Sequence, residues 1–258
     1  MEITSQQYQI IEPLLPVPRG NVKISNLQVL NAILYVAEHG CKWRGLPKRF
    51  GRWHSIYMRA NRWAKQGVLD RVFLALQEND VINIQVDHVS LDSTAVKVHP
   101  DGTGAFKKNG PQSIGKSRGG WTTKIHMVAA GHNRAVAFSL SPGQAGDAPE
   151  GRKLLKALEN CGWDGAKVIM DKAYEGDETR QLVFDLGMEP VVPPKRNRLT
   201  RWEYDRELYK KRNEVERLFR RLKGFRRIFS RFDKLDVVFK FFIHFALIVD
   251  TLFSVNRP

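Results

Sequence analysis

Three acidic side chains stand in sequence surroundings that normally exclude a charge. Asp92 lies inside the β-branched stretch SLDSTAV, and Asp171 ends the apolar stretch KVIMD. Glu216 is surrounded by lysine and arginine in the segment YKKRNEVERLFRRLK. Acids are disfavoured in strands, and a carboxylate among apolar residues needs a compensating partner, commonly a metal ion. These three residues are therefore candidate catalytic and metal-binding groups.

The place of Glu216 on its predicted helix separates it from the outward-facing cations. At 100° per residue, a sector about 60° wide at the edge of the apolar face holds four polar residues: Tyr209, Arg212, Glu216 and Lys223. A purely structural alternative exists, because Arg212 precedes Glu216 by one turn. Such an i, i+4 ion pair stabilises a helix by only about 0.2–0.5 kcal/mol.

The three carboxylates together predict a site for hard divalent cations. Oxygen ligands without a histidine or cysteine cluster favour Mg²⁺ or Mn²⁺. Two such ions about 3.5–4 Å apart can hold the attacking and the leaving oxygen of an in-line phosphoryl displacement. We expect one ion to activate water or a 3′-hydroxyl and the other to stabilise the leaving 3′-oxygen. The predicted chemistry is thus phosphoryl transfer.

The charge of the chain indicates a polyanionic partner. The 258 residues carry a formal net charge of +15. Residues 195–231 hold fifteen Lys or Arg against five Asp or Glu, and residues 42–71 hold nine against one. A concentrated basic excess is typical of nucleic-acid binding, although a merely basic or ribosome-associated protein would share it. The sequence contains no run of 18 apolar residues, so it predicts no membrane-spanning helix.

A mixed sheet flanked by helices could bring the three acids together. The pattern after residue 86 predicts three strands in DHVSLDSTAVKVH, WTTKIHMVAA and AVAFSL, separated by a flexible basic loop over residues 100–120 and a turn at GHNR. A helix capped by Asp147, the strand AKVIMD, a second helix, the strand EPVVPP, a basic helix over Tyr209–Lys223 and an apolar terminal helix follow. This order is the layout of an RNase H-like fold, in which the first and fourth strands are neighbours and the basic helix packs beside them.

The N-terminal segment has a different character. Residues 5–80 predict short helices, with Ser25 and Gly40 as plausible ends of one of them. Tryptophan and tyrosine alternate with Arg and Lys between residues 42 and 71. We interpret this segment as a small, all-helical DNA-binding domain of helix-turn-helix type. Alternatively, its tryptophans are core and its charges form a solvated face.

These motifs resemble those of a known enzyme group. The spacing Y-x2-R-x3-E-x6-K, carried by Tyr209, Arg212, Glu216 and Lys223, is similar to the signature around the glutamate of DDE transposases of the insertion-sequence four and five group. DSTAVKVH and IMDKAYEG resemble that group's two aspartate blocks, and GQAGDAPE resembles its turn before the helix that precedes the second block. GCKWRGLPKRFGRWHSIYMRANRWAKQGVLDRVF resembles the N-terminal segment of the insertion-sequence-five family.

The resemblance implies catalytic, metal-binding roles for Asp92, Asp171 and Glu216, which would hold two ions of Mg²⁺ or Mn²⁺. It implies a DNA-binding domain at residues 1–80, a DDE catalytic domain at residues 81–258, and a transposase that binds terminal inverted repeats, cleaves the strands and joins them to target DNA. The implied partners are double-stranded DNA and further copies in a homodimer or higher synaptic assembly, in the bacterial cytoplasm on the nucleoid. Candidate DNA-binding residues are Tyr209, Arg212, Lys223, Arg220, Lys107, Lys108, Lys116, Arg118, Arg52, Arg59 and Arg62.

Two other functions are compatible with parts of the sequence. A non-catalytic DNA-binding derivative would use the same basic N-terminal segment, but the intact set of three acids argues against it. A related nuclease that only hydrolyses DNA would lack the joining step.

Overall fold

The structure, a computed structural model, describes residues 1–18, 20, 22–81, 86–130, 134–159 and 162–254. The chain divides into two compact units. The first comprises Met1–Asp80, Val98–Gln112 and Arg221–Pro258, and the second comprises Val81–Lys97 and Ser113–Arg220. The first unit thus combines the N-terminal helical segment with two segments of the expected catalytic domain. The functional division after residue 80 stays a prediction.

Helix ends in the first unit follow local capping rules. The Ser25 hydroxyl accepts a hydrogen bond from the backbone N–H of Gln28, and Gly40 ends the same helix with φ 63°, where a glycine is favoured. The predicted ends at Ser25 and Gly40 are confirmed. The helices of this part of the chain are α1 (Ser5–Ile11), α2 (Asn26–His39), α3 (Trp53–Lys65) and α4 (Val68–Val81).

The second unit contains the predicted mixed sheet. In chain order its elements are β1 (His88–Val98), β2 (Gly115–Ser117), β3 (Gly120–Ala130), β4 (Arg134–Pro142), α5 (Asp147–Lys156), β5 (Lys167–Met170), α6 (Asp177–Asp185) and β6 (Glu189–Val191). Its path is β2-β3-β1-β5-β6, with β4 also paired to β3. β1, β3 and β4 pair antiparallel, whereas β1 with β5 and β5 with β6 pair parallel. The predicted meander and the neighbouring first and fourth long strands are confirmed.

The core of the second unit lies between the sheet and the helices α5 and α6. Alternate residues of β1 point to this face, as the period of a strand requires, and Val89 and Leu91 are fully buried there. They share one apolar cluster with Leu155 of α5 and Val183 of α6. This packing fixes β1 relative to α5 and α6. It therefore also fixes the position of Asp92, which follows Leu91.

The basic segment after residue 205 is not the single helix that its pattern predicts. A 3-10 turn, Lys210–Arg212, interrupts it and packs against β5. The tighter turn rotates Tyr209 and Arg212 away from their ideal places on a continuous helical wheel. The remaining elements are α7 (Arg206–Tyr209), α8 (Asn213–Gly224), α9 (Arg226–Phe229), β7 (Ser230–Arg231) and α10 (Asp236–Ser254).

Residues 100–120 are also more ordered than a flexible loop. They contain 3-10 turns at Pro100–Gly102 and Lys107–Asn109 and the strand β2, because side-chain bonds replace the missing apolar pattern. One such bond runs from the Thr123 hydroxyl to the carbonyl of Ser113, at 2.5 Å. The predicted turn GHNR falls mainly on residues 131–133, outside the described residues. Within the described ranges, no helix has both the length and the apolar character of a membrane span.

A partly buried ion pair joins the segment after β6 to the turn that follows β5. The carboxylate of Glu175 is buried, and Arg198 donates from Nε to it at 2.8 Å. Lys195 adds a contact at 3.2 Å, and Arg198 also reaches Asp177 at 2.8 Å. Burial works against ionisation of Glu175, but these cations outweigh it and lower the pKa of the carboxyl.

We predict that Arg198→Ala lowers the free energy of unfolding by about 1–3 kcal/mol, because it leaves a buried carboxylate short of a donor. The matched control is Arg196→Ala, since Arg196 is exposed in the same segment. Because the pKa of Glu175 is lowered on folding, its contribution is present at neutral pH and is lost as the pH falls below about 4.3. Denaturant titrations should show a gap between the variants at pH 7 that shrinks in acid. Equal stabilities at pH 7 would contradict this assignment.

A second prediction concerns the contact between α5 and the turn after β5. A Cβ added at Gly151 would lie 2.5 Å from the ring of the buried Tyr174. We expect Gly151→Ala to destabilise the protein by about 1–3 kcal/mol through overpacking. Gly45→Ala is the control, because a Cβ there meets nothing within 4 Å. Thermal unfolding measures the stability of both variants. An unchanged midpoint for Gly151→Ala would show that the Tyr174 ring moves aside without loss of stability.

Candidate active site

Asp92 and Asp171 lie side by side because they follow paired residues on parallel neighbouring strands. Leu91 of β1 is in register with Met170 of β5. The next residue on each strand is an acid, and neighbouring strands are only about 4.8 Å apart. The predicted proximity of these two acids therefore follows from the sheet register.

Arg212 connects the first aspartate to the glutamate of α8. Its Nη1 donates to Asp92 Oδ2 at 3.1 Å, and its Nη2 contacts Glu216 Oε1 at 2.5 Å. The Asp92 side chain is 16% exposed and that of Glu216 is 40% exposed. One guanidinium thus bridges two acids that are 124 positions apart in the chain. The Arg212–Glu216 pair considered from the sequence exists, but it is part of a larger cluster.

The pKa of Asp92 reflects its burial and the negative charges near it. Its pKa is raised to about 6, mainly by burial and also by the carboxylates of Asp171 and Glu216. The N–H of Ser93, which donates to Asp92 Oδ1 at 2.7 Å, and the Arg212 guanidinium act in the opposite direction. Two neighbouring, partly exposed acids are held together against their repulsion, so the site favours an added positive charge.

A polar network contacts the face of β1 opposite to Asp92. The Ser93 hydroxyl donates to Asp147 Oδ1 at 2.8 Å, and Lys124 donates to the same oxygen at 2.9 Å. Lys124 also donates to the carbonyl of Ala145 at 2.8 Å. The predicted helix cap at Asp147 is wrong, because Gly146 occupies the cap position and the carboxylate is used for this network.

Sequence reasoning missed Ser93 and Lys124. Each lies next to a recognisable signal, since Ser93 follows Asp92 directly, but the pairing depends on strand register. Ser93 is in register with His126, two residues beyond Lys124 on the same face of β3. Only the three-dimensional pairing reveals that this face meets the start of α5.

Two tyrosines surround the acids. Burial raises the pKa of Tyr174, and Asp147, Asp92 and Asp171 act in the same direction. Burial likewise raises the pKa of Tyr209, where Asp171 and Asp92 contribute and Arg212 opposes them. Both rings therefore stay neutral, and both are within electrostatic range of the two aspartates.

The carboxylate oxygens suit a hard divalent cation, but the three acids do not form a complete coordination site. No group of three His, Cys, Asp or Glu among the described residues is close enough to hold one ion. The reason is visible: the Arg212 guanidinium lies between Asp92 and Glu216 and pairs with both. Asp92 and Asp171 remain adjacent oxygen donors whose mutual repulsion a cation would relieve. The residues fit the expected metal in type and charge.

The other predicted DNA-binding residues lie in different surroundings. Arg59 turns inward, where its Nη1 donates to the carbonyl of Ile24 at 2.9 Å. Lys223 is partly buried, which lowers its pKa. The side chain of Lys107 is outside the described part of the structure, and Lys108 lies 5.7 Å from the ring centroid of Phe106. The exposed members of the set are Arg52, Arg62, Lys108, Lys116, Arg118 and Arg220.

Comparison with known proteins gives two family matches. Residues 3–73 match the family described as "Putative transposase of IS4/5 family", and residues 85–249 match the family described as "Transposase DDE domain". A Brucella ovis protein named "Putative transposase for insertion sequence element IS6501" is 33% identical over 128 residues, which cover 48% of this chain and 94% of that protein. A Burkholderia cepacia protein named "Insertion element IS402 uncharacterized 16.2 kDa protein" is 29% identical over 106 residues, covering 37% and 72% respectively.

One solved structure shares the fold at low sequence identity. The cryo-EM structure of the piggyBac transposase synaptic complex with hairpin DNA aligns with a TM-score of 0.50 and 10% identity, covering 99% of this chain and 72% of that one. The predicted RNase H-like fold, with a helical N-terminal region, is confirmed. Members of the matched family use divalent metal ions and act on DNA. Because the second match spans well over half of the chain, the protein belongs to the DDE transposases of the insertion-sequence four/five family, enzymes of metal-dependent DNA phosphoryl transfer.

Proposed function

We propose that Asp92, Asp171 and Glu216 are the catalytic carboxylates of this transposase. The observation that carries the proposal is the shared cluster around Arg212, which pairs with Asp92 and Glu216, together with the strand register that sets Asp171 beside Asp92. Three acids from separate parts of the chain are held together at a cost in repulsion. Such an arrangement is characteristic of a functional site.

These acids would hold Mg²⁺ or Mn²⁺, and we propose two ions. When bound, the ions supply activation of water or of a 3′-hydroxyl and stabilisation of the leaving 3′-oxygen. Asp92 is fixed within β1 and Asp171 directly after the end of β5, so these donors are positioned before any ligand arrives. The network of Ser93, Asp147 and Lys124 holds the middle of β1, next to Asp92, in place.

Arg212 has a second part in this proposal. Its guanidinium balances the acids of the free protein, and bound divalent cations would take over that counter-charge. Released from one carboxylate, the guanidinium is then available to a DNA phosphate, for which its planar donors are suited. Tyr209, one turn earlier, stays neutral and adds a hydroxyl near the same position.

The substrate we propose is the double-stranded DNA at the two ends of an insertion sequence, and then the target DNA. The exposed cations Arg52, Arg62 and Arg220 would contact phosphates, while the inward-facing Arg59 supports α2 instead. Both ends must be processed together, so we propose a homodimer or a larger synaptic assembly on the bacterial nucleoid.

The first test of this proposal replaces one carboxylate. We predict that Asp92→Asn binds terminal-repeat DNA like the unmodified chain but loses strand cleavage and strand transfer down to background, because an amide cannot supply the anionic ligand. Gel-shift and single-turnover assays with Mg²⁺ measure the two properties separately. Asp185→Asn, an exposed acid of α6 that contacts Gln181, should keep full activity. Equal activity of Asp92→Asn and the unmodified chain would refute the assignment, and binding without cleavage by the unmodified chain would favour a regulatory derivative.

The second test separates the two proposed roles of Arg212, which are to balance the acids and to contact a DNA phosphate. We predict that Arg212→Gln binds Mn²⁺ several-fold more tightly in the absence of DNA, because the acids lose their internal counter-charge, while strand cleavage falls. Isothermal titration calorimetry measures the first effect and the cleavage assay the second. Lys211→Gln, the neighbouring exposed cation, should change neither. Weaker Mn²⁺ binding by Arg212→Gln would contradict the exchange of the guanidinium for metal.

A further inference from the structure

The hairpin formed by β2 and β3 extends past its neighbours in the sheet. The pairing of β3 with β1 ends at Thr122, opposite Lys97, and its pairing with β4 ends at Thr123, opposite Pro142. β2 pairs only with residues 120–122 of β3. The segment GKSRGGW, residues 115–121, therefore projects beyond the strands that flank β3.

The tip of this hairpin combines an exposed aromatic ring with two cations. Trp121 is 54% exposed, an unusual position for an indole. Lys116 is its direct cross-strand partner, so the two side chains share one face. Arg118 is exposed in the connecting turn, and the segment contains no acid.

The hairpin is also stiffened by a hydroxyl at its turn. Ser117 donates to the carbonyl of Gly120 at 3.2 Å and accepts from the N–H of Gly119 at 3.2 Å. Thr122 donates to the same Ser117 hydroxyl at 3.0 Å. Gly120, with φ 93°, has the backbone conformation that closes the turn. The indole is therefore presented by an ordered hairpin, and little ordering is needed when a ligand stacks on it.

We propose that Trp121 is a stacking platform for an unpaired DNA base, with Lys116 and Arg118 contacting the phosphates on either side of it. Aromatic side chains within a basic surface are the recognition mode for single-stranded nucleic acid, because every base offers a flat face. Fully paired DNA does not offer that face, so the site distinguishes opened or tailed strands from an intact duplex. This inference rests on the proposed function, since strand cleavage at an element end is what would produce such strands.

The strand register gives the distance of this platform from the acids. Asp92 is in register with Met127, which lies on the same face of β3 as Trp121. Trp121 and Met127 are six positions apart along the extended strand, which is about 20 Å. The stacked base would thus lie several nucleotides away from the phosphate that reacts, in a position to hold a strand and not to cut it.

The test compares the full chain with Trp121→Ala and Trp121→Phe on three fluorescent probes: a blunt duplex, the same duplex with a single-stranded tail, and the single strand alone. By anisotropy at one fixed salt concentration, we expect Trp121→Ala to bind the tailed and single-stranded probes roughly tenfold more weakly and the blunt duplex less than about twofold more weakly. Trp121→Phe should keep most of the affinity. Phe184→Ala, which removes an equally exposed ring from α6, should bind all three probes normally.

A second measurement does not depend on a variant. Irradiation of the unmodified chain with a tailed probe carrying 5-iododeoxyuridine should crosslink the tail to the peptide that contains Trp121. An equal loss on all probes, no loss on any, or a crosslink elsewhere would overturn the stacking site. So would a Trp121→Ala chain whose only change is a smaller assembly in sedimentation, since the ring would then be a protein contact. Strand cleavage by the unmodified chain is measured in parallel, because its absence would count against the proposed function, whereas a negative result at Trp121 in an active enzyme counts only against this inference.

Discussion

The repulsion between neighbouring carboxylates is the constraint on which the rest of the second unit depends. Parallel pairing of β1 with β5 sets Asp92 beside Asp171, and burial raises the cost of ionising the first of them. The cluster persists because the apolar packing of α5 and α6 fixes both strands, and because a guanidinium offsets the charge. Stability and reactivity therefore conflict at this point of the fold, as is common where a site must accept an external cation.

The same constraint explains why Arg212 lies on a turn and not within a helix. A continuous helix from Tyr209 would fix its side chain on the ideal wheel, at the edge of the apolar face. The 3-10 turn at Lys210–Arg212 packs against β5 and brings the guanidinium to Asp92 while Glu216 stays one turn further along. The guanidinium on this turn therefore pairs with two acids, Asp92 and Glu216, at the same time.

Much of this arrangement is predictable from sequence, because it depends on local pattern. Alternation gives β1 and β3, a terminal acid marks the end of β5, and a serine and a glycine bound α2. The break before Asn213 and the use of Asp147 in a network were not predictable, because each is decided by a partner distant in sequence. The strand β2 is too short for its period to be recognised, and its pairing is stabilised by hydroxyl groups that have no apolar signature.

The structure separates the positive charges that are paired inside the protein from those that face solvent, which composition alone cannot do. Some cations of the basic segments are used internally: Arg212 at the acids, Arg198 at Glu175 and Arg59 at Ile24. Each of these supports the fold, and a count of net charge cannot separate them from the cations that face solvent. Those that do face solvent include the pair on the β2–β3 hairpin, where an ordered turn also exposes an indole. A surface that only attracted phosphates would gain nothing from that ring, so its exposure beside cations points to recognition of a base.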